Sequence, residues 1–162
     1  MPLSERLRSF LESHSVEYSV TAHPRAYTAR EVAVAEHLPP RELAKTVVLF
    51  SDGEYLMVVI PANKVVDLPE ARLTLDSNQV RLATEDELGK LFPDCELGAM
   101  PPFGSLYRMP VYLDGSLTGE ERIAFNAGTH REVLHMKMAD FRALEQPAVV
   151  SLVRAAVIAH GL

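Results

Sequence analysis

A pair of apolar segments joined by a short turn constrains the fold of this chain more than any other feature. The segments LAKTVVLF (43–50) and YLMVVIP (55–61) are rich in β-branched residues, and the link between them contains Asp52-Gly53. This link predicts an antiparallel hairpin, because Asp and Gly tolerate the positive φ angles of tight hairpin turns. Both segments are almost continuously apolar, so we expect neighbouring central strands of one mixed sheet, covered on both faces.

The rest of the chain mixes helical and strand-like segments without a strict βαβ repeat. Ser4 and the capping-box sequences at Thr28 and Thr84 mark the starts of three predicted helices, which end near Ser13, before Pro39 and near Pro93. Two more helices are predicted over LPEARLTLD and ADFRALEQ, and strands over VEYSVTA, VRLA, MPVYLD, ERIAFNAG and EVLHMKM. This pattern favours an α+β fold, with a mixed sheet and helices packed around it.

The C-terminal tail, PAVVSLVRAAVIAHGL from Pro147, is apolar almost all round. We predict a helix over 148–159 that is buried, either in the core or between two subunits. The sequence leaves a monomer and a homodimer both open.

Length and charge limit the possible functions. The 162 residues predict a single domain, 1–162, and the 48% hydrophobic content is enough for a packed core. The net charge of −6 excludes a basic surface over the whole protein, so any RNA contact needs a local patch. Lys45 is the first candidate cation, and Arg25, Arg30 and Lys64 are further ones.

Several classes of site and location are disfavoured. Cys95 is the single cysteine, so no internal disulfide forms, and we expect a cytoplasmic protein. The first residues lack the pattern of a signal peptide, and no apolar run is long enough to span a membrane. No metal site is expected from six scattered histidines, and without a Walker A or Gly-x-Gly-x-x-Gly sequence no cofactor is implied.

Two features of the sequence are candidate functional sites. Lys45 lies inside an apolar strand, where its ammonium either extends outward to solvent at the strand entrance or meets a phosphate at the mouth of a cleft. The loop ELGAMPPFG (96–104) combines glycines and prolines with a bare apolar stretch. It is either an ordinary connection or a stiff segment that offers backbone N–H groups to a carbonyl oxygen or a phosphate.

Three further side chains have weaker signals. His130 follows a turn, where it either orients a water or a substrate or is an ordinary surface residue. His135 lies in a predicted strand and is expected to be a packing residue. Cys95 precedes the glycine loop, but nothing in the sequence places a base beside it, so a nucleophilic role is not favoured.

The segments AKTVVL, GAMPPFG and FNAGTHREVLHMKMADF, together with the hairpin, resemble the YbaK/prolyl-tRNA synthetase editing-domain family. The resemblance covers roughly residues 15–145 and rests on the order and spacing of these segments. It implies a mostly antiparallel β-sheet surrounded by helices. It also implies an aminoacyl-tRNA deacylase that hydrolyses the ester of a mischarged amino acid at the tRNA 3′ end, here in a free-standing form acting in trans.

The resemblance also implies site residues. Lys45 matches the lysine thought to hold the terminal phosphate or ribose of the tRNA, and His130 matches a histidine found in some branches. Gly98 begins the Gly-x-x-x-Pro loop whose backbone positions the ester carbonyl. The implied substrate-binding residues are Thr46, Ala99, Met100, Pro101, Pro102, Asn126 and Gly128. No cofactor and no metal are implied, and a prolyl-tRNA synthetase is a possible partner.

Departures from the family pattern bear on specificity. The branch that removes cysteine from proline tRNA has a small polar residue near position 126 and an acid near position 135, where this chain has Asn126 and His135. Alanine is therefore the preferred substrate side chain. The alternatives are a non-catalytic module that binds a tRNA or a synthetase, and a hydrolase for another small activated ester.

Overall fold

The computed structural model describes residues 4–24 and 29–155. These residues contain five α-helices, α1 Glu5–Ser13, α2 Ala29–Ala35, α3 Leu68–Thr74, α4 Glu85–Leu91 and α5 Met138–Glu145. The strands are β1 Tyr18–Ala22, β2 Ala44–Ser51, β3 Glu54–Pro61, β4 Lys64–Val66, β5 Val80–Leu82, β6 Val111–Asp114, β7 Arg122–Asn126, β8 Glu132–Lys137, β9 Ala148–Val150 and β10 Val153–Ala155.

The predicted hairpin is the centre of the fold. β2 and β3 pair antiparallel along their whole length, and both turn residues have positive φ, 47° at Asp52 and 91° at Gly53. The strand order β5-β2-β3-β6-β9 places both strands in the interior of a five-stranded sheet. The prediction of neighbouring central strands is therefore confirmed.

The remaining strands form two smaller sheets rather than extending the first one. β1, β8 and β7 make an antiparallel sheet, and β10 pairs antiparallel with β4. In the five-stranded sheet, β6 and β9 are parallel to their neighbours, whereas β5 and β3 are antiparallel to β2. The α+β fold with mostly antiparallel sheets flanked by helices is confirmed.

Both faces of the five-stranded sheet are covered. Ala44, Val48 and Val59 belong to the main hydrophobic core, while Leu49 and Ile60 belong to a second cluster on the other face. β3 is buried over most of its length, whereas β2 is buried at Ala44, Val48 and Leu49 and half-buried at its other residues. The expectation of two-sided burial thus holds fully for β3 and in part for β2.

Two of the predicted helix starts are confirmed by their capping contacts. The Ser4 side chain accepts a hydrogen bond from the Leu7 N–H at the start of α1. Both reciprocal bonds of the capping box between Thr84 and Glu87 are present at the start of α4. α2 lies where the third start was predicted, although Thr28 is outside the described residues.

The tail prediction is wrong over 148–155, because these residues form strands instead of a helix. β9 joins the edge of the large sheet beside β6, and β10 pairs with β4. α5 ends at Glu145, the following residue Gln146 has a left-handed conformation, and Pro147 prevents continuation of the helix. Leu152, between the two strands, is buried. The rest of the predicted helix, 156–159, lies outside the described residues.

Candidate active site

Lys45 and Thr46 occupy opposite faces of β2. Side chains alternate along a strand, so Lys45 shares the face of Val47 and Leu49, and Thr46 shares the face of Val48 in the main core. The Thr46 hydroxyl is buried and has no hydrogen-bond partner in the described part of the chain. Only Lys45 therefore faces away from the main core.

Lys45 lines a groove of about 520 Å³ on its face of the sheet. The other lining residues are Val47, Val65, Val66, Leu68, Leu82 and Arg154. Burial lowers the pKa of the Lys45 ammonium below its ordinary value, because half-burial removes hydration from the charge. No residue of the 96–104 loop lines this groove.

The start of β2 also adjoins β7, which carries Asn126. Leu43 and Ala124 form a parallel bridge, and both belong to the same small hydrophobic cluster. Lys45 and Asn126 lie two residues after Leu43 and Ala124 in their respective segments. Because side chains alternate along extended segments, they share the side of Leu43 and Ala124. The Asn126 side-chain oxygen is buried without a hydrogen-bond partner among the described residues. The structure thus brings Lys45 toward the segment that leads to Gly128.

The glycine loop is fastened to this segment by backbone hydrogen bonds. The Glu96 N–H donates to the Gly128 carbonyl at 2.8 Å, and the Gly128 N–H donates to the Ala99 carbonyl at 3.0 Å. Gly98 and Gly128 both have positive φ, 83° and 96°, in the region that L side chains rarely adopt. Glycine is therefore required for the backbone path at both places.

The loop leaves some of its N–H groups available. The Ala99 N–H donates within the loop, to the Glu96 carbonyl at 3.0 Å. The N–H groups of Leu97 and Gly98 donate to no described residue, and both residues are exposed. The predicted loop residues Ala99, Met100, Pro101 and Pro102 are all buried, so this part of the loop is packed into the protein interior. The two N–H groups without a described partner therefore belong to exposed residues, the second and third of the loop.

His130 contacts the loop directly. Its N–H donates to a Glu96 carboxylate oxygen at 2.8 Å, and its ring Nε2 lies 2.6 Å from the Leu97 carbonyl oxygen. A carbonyl oxygen only accepts, so Nε2 carries the proton in this bond. His130 is thereby a positioning residue for the Leu97–Gly98 backbone. Glu96 was not among the predicted site residues, and the one signal for it in the sequence is its place as the acid that begins the loop.

The structure gives His135 a polar environment rather than a role in apolar packing. Its Nε2 lies 2.9 Å from the Thr21 hydroxyl and 3.5 Å from Oε1 of Glu36. Glu36 is almost fully buried, and its other oxygen lies 3.7 Å from Nε2 of His23. This cluster connects the chain after α2 to strands β1 and β8.

Cys95 directly precedes the loop in the sequence and lies in a cluster of polar side chains. Its sulfur lies 3.5 Å from the Tyr107 hydroxyl, which also donates to Asp94, and Ser4 donates to the same carboxylate at 2.7 Å. Burial raises the pKa of the Cys95 thiol to about 11. The thiol is therefore protonated at neutral pH and a poor nucleophile.

We expect Cys95→Ala to keep close to the wild-type rate of the ester hydrolysis that the family resemblance implies. A thiol with a raised pKa supplies little thiolate for attack, so its removal should cost packing and not chemistry. The measurement is deacylation of a mischarged tRNA by Cys95→Ala and by the wild type, the latter with and without prior treatment by iodoacetamide. A variant that stays folded but loses its activity would show that the thiol takes part in the reaction.

Among the described residues, no three or more His, Cys, Asp or Glu side chains come together in an arrangement that fits a metal ion. In residues 4–24 and 29–155, no helix has the length and apolar character needed to cross a bilayer.

Three comparisons place the chain among known proteins. Three solved structures have a similar fold: a scaffold used for computational grafting of linear epitopes, the hypothetical protein APE2540, and a candidate trans-editing enzyme for prolyl-tRNA synthetase. Their TM-scores are 0.83, 0.83 and 0.82 and their identities 22%, 18% and 24%. The alignments cover 96%, 93% and 96% of this chain and 99%, 100% and 99% of theirs.

The comparison with curated proteins gave no match. The sequence itself matches the family model of the aminoacyl-tRNA editing domain over residues 23–144. This range contains the central hairpin, the glycine loop and His130, and it agrees with the resemblance stated from the sequence. The chain therefore belongs to the aminoacyl-tRNA editing domain family.

Proposed function

We propose that this protein hydrolyses the ester between a mischarged small amino acid and the 3′ end of a tRNA, acting in trans in the cytoplasm. The observation that carries the proposal is the glycine loop: Leu97 and Gly98 are exposed, their N–H groups have no described partner, and the loop backbone is hydrogen-bonded to Gly128 and His130. Alanine is the proposed amino acid, proline tRNA a proposed carrier, and a prolyl-tRNA synthetase a possible partner.

The chemistry requires little from side chains. A water, which the free hydroxyl of the terminal ribose can orient, adds to the ester carbonyl carbon, gives up a proton and forms a tetrahedral oxyanion. The bond to the ribose oxygen then breaks, and that oxygen takes up a proton. Fixed N–H donors stabilise the oxyanion more than the ground-state carbonyl, so they lower the barrier without a side-chain nucleophile. This fits a site in which the thiol of Cys95 is protonated.

The glycine loop and Lys45 have different roles in the proposed reaction. The loop acts on the carbonyl oxygen, and Glu96 and His130 keep its backbone in place. Lys45 acts at a distance from the reacting bond, as a cation for a phosphate of the tRNA end. The buried Thr46 and Asn126 oxygens are candidate acceptors for polar groups of the substrate. A small pocket excludes large side chains by steric clash far better than it rejects smaller ones.

The function is tested by a deacylation panel with tRNA charged with alanine, serine or cysteine. We expect the protein to release alanine at a rate well above spontaneous hydrolysis and to act more slowly on the others. Binding of charged tRNA without turnover in any member of the panel would refute the hydrolase and leave a binding module.

Lys45→Ala is expected to raise KM about tenfold or more, because a hydrogen bond to a charged group contributes about 1.5–3 kcal/mol. A phosphate keeps its charge during the reaction, so the loss should appear mainly in KM and only secondarily in kcat. The measurement is single-turnover deacylation over a range of enzyme concentrations. Lys90→Ala, which removes an exposed lysine of α4, is the matched control. Wild-type rates for Lys45→Ala at every concentration would refute the anchor.

A further inference from the structure

One carboxylate links the two ends of the glycine loop. Asp94 lies two residues before the loop, and Tyr107 lies three residues after it. The Tyr107 hydroxyl lies 3.1 Å from each oxygen of the Asp94 carboxylate and donates to it. Tyr107 is also bound to the end of the loop, because its backbone N–H donates to the Gly104 carbonyl at 2.9 Å. The bond between Tyr107 and Asp94 therefore closes the base of the loop.

The same carboxylate holds the start of α1 beside the loop. The Ser4 hydroxyl donates to Oδ2 of Asp94 at 2.7 Å, and the Ser4 N–H donates to the Ala127 carbonyl at 3.5 Å. A Cβ at Gly128 would lie 3.5 Å from the Ser4 Cβ and 3.8 Å from the Cys95 sulfur, so both residues pack close to this glycine. Gly128 is the residue whose N–H and carbonyl both bond the loop region, and Asp94 is connected to it through Ser4.

Asp94 and Tyr107 have the protonation states that their bond requires. Burial alone would raise the pKa of Asp94, but hydrogen bonds from Ser4 and Tyr107 bring this pKa below its ordinary value. Burial raises the pKa of the Tyr107 phenol, which therefore keeps its proton and donates. Arg6 adds a positive charge, since its Nε lies 4.0 Å from Oδ2 of Asp94. The bond joins a neutral donor to an ionised acceptor, and such bonds are stronger than those between neutral groups.

We propose that Asp94 is a positioning residue for the glycine loop: its bonds to Tyr107 and Ser4 close the base of the loop and hold it against Gly128. Tyr107 is only 8% exposed, and both Asp94 oxygens accept hydrogen bonds, so neither residue offers a reactive group to a substrate. Asp94 acts on the ester through the loop backbone, where the two N–H groups without a described partner need a fixed path. The inference rests on the proposed function, in which those N–H groups stabilise the oxyanion.

The first test measures the loop itself and needs no turnover. Asp94→Asn keeps the shape of the side chain but removes its charge and one acceptor oxygen. By amide hydrogen exchange, we expect the N–H groups of Gly128 and His130, which bond the loop region, to exchange about tenfold faster in this variant, the effect of one weakened hydrogen bond to a charged group. The Gln79 N–H, which donates to the Asp52 carboxylate beside the hairpin turn, should keep its wild-type rate. Unchanged exchange at Gly128 and His130 would overturn the proposal, as would equal acceleration at Gln79.

The second test measures catalysis. Asp94→Asn and Tyr107→Phe, which removes only the hydroxyl, should each lower kcat for deacylation of an alanine-charged tRNA about tenfold. KM should stay within about twofold, because Lys45 is proposed to bind the tRNA in a groove that no loop residue lines. The double variant should lose less than the product of the two single losses, because both substitutions break the same bond. Thermal melts verify folding, and wild-type kcat in both folded variants, or a loss confined to KM, would overturn the proposal.

Tyr55→Phe is the matched control. The Tyr55 hydroxyl also donates to a carboxylate, that of Glu87, but this bond joins β3 to α4 and involves no atom of the loop. Its removal should leave kcat and the exchange of the loop amides as in the wild type. Cys95→Ala is the second control, because it removes a neighbour of Tyr107 but leaves both hydroxyl bonds to Asp94 in place.

The two tests separate the role of Asp94 from the proposed reaction. A wild type without turnover, in which Asp94→Asn still accelerates exchange at Gly128 and His130, would keep Asp94 as the residue that positions the loop and remove the hydrolase. A wild type that deacylates tRNA, with unchanged loop exchange and kcat in Asp94→Asn, would keep the hydrolase and remove the role of Asp94.

Discussion

Gly98→Val is expected to lower kcat for deacylation by about 100-fold, or ~2.7 kcal/mol, the size of effect found when one oxyanion donor is lost. Gly98 has a φ of 83°, which a β-branched residue adopts only at high cost, so the loop backbone should rotate away from its present path. Steric overlap is not the cause, because a Cβ at this position would lie 3.6 Å from His130 Cε1, an ordinary contact. Single-turnover rates at saturating enzyme measure the effect.

Gly53→Val provides the matched control. Gly53 also has a positive φ, 91°, and a Cβ there would meet nothing within 4 Å. The two substitutions therefore introduce similar backbone strain, but only one of them is in the loop. Equal losses of activity in both folded variants would mean that the loop N–H groups are not donors to the oxyanion.

Truncation after Gln146 is expected to abolish cooperative unfolding. It removes β9 from the edge of the large sheet, β10 from its pair with β4, and the buried Leu152 between them. Leu152→Ala alone should cost about 2–5 kcal/mol, as buried leucines do, and a domain of this kind has only about 5–15 kcal/mol in total. Thermal melts followed by circular dichroism measure both changes.

Val149→Ala is the companion variant for the tail. Val149 is on the neighbouring strand but is 49% exposed, so its truncation should lower the melting temperature far less than Leu152→Ala. A shortened chain that melts like the full protein would show that β9 and β10 contribute nothing to stability.

Residues close together in the sequence explain most of what was predicted correctly. The hairpin around Asp52-Gly53 and the capping box at Thr84 depend on contacts within a few positions, so their patterns are visible in a single sequence. The helix prediction for the C-terminal tail was wrong for the opposite reason. An apolar segment looks the same whether it becomes a buried helix or an edge strand, and its partners β4 and β6 lie far away along the chain.

In the candidate site, too, the features with a local sequence pattern were predicted and the long-range contacts were not. The glycine loop and Lys45 stood out by composition, and the family resemblance connected them. The contacts of Glu96 with His130, and the meeting of Lys45 with Arg154 in one groove, arise from the tertiary fold. No local pattern indicates them, because each joins segments that become neighbours only after the sheets assemble.

The fastening of the loop has a consequence for the protein's own synthesis. Its hydrogen bonds to Gly128 and His130 join residues 29 to 34 positions apart in the sequence, and Ser4 donates to Asp94 from near the other end of the chain. A nascent chain that has emerged from the ribosome only as far as β6 contains the whole loop but none of its C-terminal supports. Such an intermediate has an unconstrained loop and should be inactive toward esters. We therefore expect the proposed activity to appear late in translation, when the chain beyond β7 is free to close on the loop.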